Sequence, residues 1–308
     1  MSDQLTHYPE SLATRGLQKF MQPNVIMISA MVIMTGLGWV FLVIMLSGFA
    51  SEVSLSQAGP GMTALQQYFT TDGEMSFARA LYLSICGPIG QATLLNAKTS
   101  VLSAIGFYLP MWFAMIIAMM LPASSPLMLA YMDITKAARR KQIATVQPWV
   151  LLAGFLAVWL VFCLSAASLQ WLFTSYALMG EGLVLTHPLT MASILATAGA
   201  YQLSPLKQAC MVKCRSPMPF LMTRWSEKTS GVFKMGLEHG LACLGCCWAL
   251  MLVMFAAGLM NLVWMSILTV LMLIEKTIPN PKWLTRISGL ALLAWSVTII
   301  SRMVLQIS

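Results

Sequence analysis

His239-Gly-Leu-Ala-Cys243-Leu-Gly-Cys246-Cys247-Trp248 packs an imidazole and three thiols into one short stretch. On a helix advancing about 100° per residue, with Cys243 as origin, His239 falls near about −40°, Cys246 near about −60° and Cys247 near about +40°. Met254, two turns beyond Cys247, falls near about +20°. One helical face therefore carries an imidazole, three thiols and a thioether. Thiolate and thioether are soft ligands and select Cu(I) before hard ions. Zn(II), which also takes Cys and His, is the alternative metal. The competing reading is that small cysteines fill a tight helix contact.

A second cysteine pair stands nearby in Ser204-Pro205-Leu206-Lys207-Gln208-Ala209-Cys210-Met211-Val212-Lys213-Cys214-Arg215-Ser216-Pro217. Each Ser-Pro marks a break. A short helix between them would put Cys210 and Cys214 at i, i+4, on one face. Lys207, Lys213 and Arg215 should favour the thiolate and lower the thiol pKa. A third element is a methionine ladder. Met111, Met115 and Met119 recur at i, i+4, i+8, and Met120 follows. Met115, Met119 and Met120 join Cys210, Cys214, His239, Cys243, Cys246, Cys247 and Met254 as candidate ligands along a path for Cu(I). Methionine is also an adaptable packing residue, which is the competing reading of the ladder.

These groups must be held by something that lies in lipid. The chain has 308 residues, 58% hydrophobic and only 9% charged, against roughly 25% charged in a soluble domain. Such a chain cannot cover a water-facing surface. The expected fold is all-α, a bundle of seven transmembrane helices. Apolar runs place the spans at about 25–48, 101–121, 149–173, 189–203, 241–258, 262–274 and 284–305. Gly258 to Asn261 should form the turn between the fifth and sixth. Residues 1–24 are a tail, and residues 25–308 form one membrane domain. Gly48-Phe49-Ala50 resembles a signal-peptide cleavage site, but the run before it exceeds the 7–15 apolar residues of a signal peptide. Residues 80–90, broken by Pro88, read as a re-entrant or interfacial piece.

Charge sets the orientation. The N-terminal tail and the segments after spans two, four and six hold 15 basic residues, from Arg15 to Arg286, and the other segments hold Arg79, Lys98 and Arg302. Basic residues collect on the cytoplasmic side, so the N-terminus and the loops 122–147 and 205–238 are expected inside. The net charge of +8 is a membrane signature rather than one of nucleic-acid binding, because the basic residues sit between apolar runs. Seven cysteines, five of them between Cys210 and Cys247, do not resemble a secreted disulfide framework, and a cytoplasmic face keeps thiols reduced.

Weaker signals complete the reading. Glu275-Lys276 reads as an interfacial ion pair. Glu238 is placed either to orient His239 or to favour a helix start. Cys86 and Cys163 read as packing residues, and His187 before Pro188 has no evident partner. The sequence holds no phosphate-binding glycine loop, catalytic triad or paired catalytic carboxylates, which argues against an enzyme.

The blocks Met111-Trp112 through Ala118-Met119-Met120-Leu121-Pro122, Tyr201-Gln202 with Pro205-Leu206-Lys207, Cys210, Cys214-Arg215 and Pro217 resemble a known family. So do Gly240, Cys243-Leu244-Gly245-Cys246-Cys247-Trp248, Met251, Trp264-Met265 and Glu275-Lys276. The family is that of bacterial predicted metal-binding integral membrane proteins, domain of unknown function 2182. The resemblance covers residues 105–280 and implies metal binding in a bacterial inner membrane. The choice of copper comes from ligand softness. The leading expectation is a membrane protein that binds Cu(I) for transport, delivery or homeostasis, partnered by the bilayer and by a metallochaperone or another membrane subunit. The alternatives are a membrane thiol–disulfide oxidoreductase using Cys210/Cys214 and Cys246/Cys247, and a structural subunit of a membrane complex.

Overall fold

A computed structural model of the protein describes residues 23–52, 54–64, 101–180, 182–278 and 282–307. The expected piece at residues 80–90, Cys86 and most of the segment from Phe49 to Ser100 lie outside the described residues. Among the described residues, ten helices run in chain order: α1 (Pro23–Glu52), α2 (Val101–Ala123), α3 (Ser125–Arg140), α4 (Pro148–Ser175), α5 (Pro188–Leu203), α6 (Pro205–Arg215), α7 (Pro217–Arg224), α8 (Thr229–Ala257), α9 (Leu262–Thr277) and α10 (Lys282–Ile307). A 3-10 turn at Leu55–Ala58 follows α1. Among the described residues, β pairing is confined to one isolated bridge, Met179–Leu185. Helices α4, α5, α6 and α7 each open on a proline. Its missing N–H is harmless at the first position, where no intrahelical acceptor exists.

Among the described residues, five helices are long and apolar enough to cross a membrane: Val25–Ala50, Val101–Ala123, Pro148–Ser175, Thr229–Ala257 and Lys282–Gln306. The other two expected spans are the 16-residue helices α5 and α9. At about 1.5 Å per residue each is roughly 24 Å long, short of the roughly 30 Å hydrocarbon layer. The expected loop 122–147 contains α3, whose apolar residues Leu127, Met128, Tyr131 and Met132 are buried. Burial pushes the Tyr131 hydroxyl up to about 12, so it stays protonated and donates to the Val146 carbonyl at 3.0 Å. The fifth expected span begins twelve residues early, because α8 extends back to Thr229 and covers 29 residues. At roughly 43 Å it outreaches the apolar layer, and Lys234 and Glu238 lie on the extension.

The bundle has two ends. At one, Leu185 N–H donates to Phe255 O at 3.1 Å, Leu259 N–H to Leu183 O at 3.2 Å, and the Asn261 side chain to Pro60 O at 3.0 Å. Asn261 also caps α9 by accepting from Trp264 N–H. At the other end, Lys207 meets Glu275, Arg215 donates to Ile278 O, and Arg224 pairs with Glu238 at 3.5 Å. Helices α5 and α9 therefore run between the same two ends as the long helices.

Close approach of α4 and α8 fixes the centre. A side chain on Gly154 would meet the Gly236 Cα at 3.0 Å, and one on Gly236 would meet the Gly154 Cα at the same distance. Small residues let backbones approach where lipid provides no hydrophobic drive between helices. Helices α5 and α10 pair separately, with the Ser296 hydroxyl donating to Ala192 O at 2.8 Å.

Candidate metal centre

The Ser204 side chain accepts from Lys207 N–H and caps α6, so the short helix expected from the two Ser-Pro breaks is present. It docks on α8 at Gly245, where an added Cβ would lie 2.7 Å from Cys210 Sγ. The Tyr201 hydroxyl donates to the carbonyl of that same glycine. This docking brings Cys214 against Cys243 and Cys246, and Cys247 borders Cys243. Cys214, Cys243, Cys246 and Cys247 are buried free thiols, and Cys210 is half-buried and free.

Cys246 and Cys247 donate back to the Cys243 carbonyl at 3.0 and 2.8 Å. The Cys247 thiol also reaches the Met120 sulfur at 3.6 Å. Met120, at the end of α2, therefore touches the thiols. Met115 and Met119 are buried in the same helix, and Met254 is buried further along α8. His239 is buried with its ring between Phe155 and Phe220, at centroid distances of 6.2 and 5.9 Å. Phe220 also lines a groove of about 500 Å³, together with Lys213, Pro219, Arg224, Glu238 and Ala242.

Three sequence expectations are corrected here. Glu275 and Lys276 do not pair with each other, because neighbouring helix positions face different directions. Glu275 takes the Lys207 ammonium at 2.7 Å and accepts from Gln202 at 3.2 Å, while Lys276 turns into the thiols. Glu238, read as orienting His239 or as favouring a helix start, lies well inside α8 and pairs with Arg224 at 3.5 Å. The thiol pKa of Cys214 moves up, against the expected fall, because its proton is held in hydrogen bonds to Cys243 and Cys246. Lys207 and Arg215, expected to lower it, are engaged by Glu275 and Ile278 O.

Lys276 is the residue that sequence reasoning missed. Its ammonium lies 3.0 Å from Cys243 Sγ and 3.9 Å from the Met120 sulfur, and the residue is buried. A lysine closing an apolar helix is normally expected to reach for the interface. Its burial in the last turn of α9, beside Glu275 and Met272, comes from packing between helices that the sequence does not display.

Among the described residues, no group of three or more His, Cys, Asp or Glu side chains is arranged to hold a metal ion. The thiols touch in pairs without converging on one point. Their chemistry is nonetheless that of a soft site, with sulfur as the donor.

Fold and site together define a helical membrane protein with a buried cluster of free thiols and a lysine turned onto it. The chain belongs to the copper chaperone family PpoB2, whose family model matches residues 109–299. That match spans α2 to α10 and contains every residue of the thiol cluster. Comparison with curated proteins and with solved structures returned no match.

Proposed function

We propose that this protein is a bacterial inner-membrane copper chaperone that binds Cu(I) as cargo at Cys214, Cys243, Cys246 and Cys247, with Met120 as a thioether donor. The observation that carries this reading is the meeting of thiols from two helices with the Met120 sulfur, 3.6 Å from Cys247. Copper capture draws Cys246 and Cys247 away from the Cys243 carbonyl, a rotation about one side-chain bond each. Cys210 and His239 border the site and receive or release the ion. Met115, Met119 and Met254 continue a line of thioethers into the bundle. The ion comes from a metallochaperone or passes to another membrane subunit.

The membrane is crossed seven times, with α5 and α9 as short spans and the N-terminus inside. Support comes from their course between the two ends of the bundle and from the positive-inside rule. Were the two short helices not to cross, Lys213, Arg215, Arg224 and Lys228 would lie on the opposite side from Arg139 and Arg140. A membrane-impermeant thiol reagent applied to intact cells should leave single cysteines introduced at 142–146 and 225–228 unlabelled. Rapid labelling there reverses the orientation.

Binding is tested by Cu(I) titration of the detergent-purified protein against a chromophoric chelator. Cys243→Ser or Cys247→Ser should weaken Cu(I) by about 100-fold or more, above the roughly 10–100-fold typical of losing an outer partner of a ligand. Undiminished Cu(I) binding by a protein lacking Cys210, Cys214, Cys243, Cys246 and Cys247 would refute the assignment.

A further inference from the structure

The charges buried at the Glu275 end form two unequal groups. Lys207 and Glu275 are fully shielded, at 0% and 3% side-chain exposure, and cancel each other at 2.7 Å. Gln202 donates to Glu275 and to Ser288 and also accepts from Lys207. Among the described residues, Lys276, the next residue after Glu275, is paired with no carboxylate. Its ammonium meets Cys243 Sγ at 3.0 Å and Met120 Sδ at 3.9 Å, with Cys247, Cys246 and Cys214 around it. A buried ion is costly unless matched by an opposite charge. The match for this lysine has to come from whatever charge the sulfurs carry.

This constraint selects among ions by valence. Where two of the four cysteines bind as thiolates and the others keep their protons, a monovalent soft ion leaves one negative charge, which the Lys276 ammonium cancels. A divalent ion on the same two thiolates leaves none, and the ammonium stands unmatched beside a neutral complex in a low-dielectric interior. Softness excludes Mg²⁺ and Ca²⁺ but does not separate Cu(I) from Zn(II) or Cd(II), because all of them accept thiolate. We propose that Lys276 is the specificity-determining residue of the site: its fixed positive charge, 3.0 Å from Cys243 Sγ, favours soft monovalent over soft divalent ions. This rests on the reading of the thiols as a metal site and adds what that reading lacks, a reason for the choice of ion. Specificity is a difference of affinities, and Lys276 acts on the unwanted member of the pair.

The test uses Ag(I), a redox-inert soft monovalent ion, and Cd(II), a soft divalent one. Affinities for both are measured on the full chain in detergent by competition titration, for wild type, Lys276→Leu and Lys276→Arg. Leucine removes the charge without adding a sulfur donor, and replacing a buried ion by an apolar residue is often tolerated. The Leu variant should shift the Cd(II)-to-Ag(I) affinity ratio toward Cd(II) by about tenfold or more, and the Arg variant by less than about threefold. A Leu variant that binds both ions with the wild-type ratio overturns the proposal, as does an Arg variant that shifts as far as the Leu variant. Lys276→Gln carries the same test if the Leu variant does not fold, with thermal unfolding as the check on each. Wild type that binds neither ion at its thiols would instead overturn the metal site itself.

Discussion

The two ends of the bundle are closed by different kinds of contact. At the Asn261 end the closure is made by backbone groups and one uncharged amide side chain, Asn261. Gly258 has φ of +107°, and a Cβ there would run into the Ala58 carbonyl. Main-chain hydrogen bonds from Leu185 and Leu259 tie the loop after α4 to the end of α8. At the Glu275 end the closure is made by side chains: an ion pair, a lysine on sulfur, and a cysteine seated on a glycine. A junction of backbone groups is rigid and leaves nothing to react. A junction of ammonium, carboxylate and thiol is held by groups that can exchange partners. The thiols are found at the end where α6 is docked by such groups.

The largest expected effect breaks the backbone junction. Gly258→Val imposes a β-branched side chain on a left-handed φ and on a filled space. It should cost about 4 kcal/mol, in the exceptional range for single substitutions, read as thermal unfolding in detergent or as loss of the folded protein. Next is the ion pair. Glu275→Ala leaves Lys207 buried and uncompensated and should cost about 3–5 kcal/mol, whereas Lys207→Met with Glu275→Leu should be close to neutral. Equal loss in both variants would mean that the end is held by packing alone. The smallest effects are expected along α2. Met115→Leu and Met119→Leu are nearly volume-conserving, should cost less than about 1.5 kcal/mol, and should leave Cu(I) affinity at the thiols unchanged. Met120→Leu should weaken Cu(I), since Met120 touches Cys247.

Much of the site was legible because it is local. The face shared by Cys243, Cys246 and Cys247 follows from helical spacing, and the Ser-Pro breaks bound α6 as expected. The long spans were legible from apolar length. What was not legible depends on packing between distant segments. That α8 begins at Thr229 was hidden because its first turns carry Lys234 and Glu238, and apolar length alone marks only the part in lipid. α3 was hidden for a related reason: its pattern is amphipathic, and a search for continuous apolar runs passes over it. The partners of Glu275 and Lys276 depend on the rotation of α9 against α6 and α8, which spacing along one helix cannot fix. Lys207 and Lys276 also counted toward the inside charge, although both are buried within the bundle.

Copper-edge X-ray absorption of the full chain loaded with one equivalent of Cu(I) tests the central claim most directly. The account predicts a coordination sphere made of sulfur, with the number of sulfur neighbours falling in the Cys243→Ser/Cys247→Ser double variant. A sphere dominated by nitrogen or oxygen, or one unchanged by that double substitution, would contradict it.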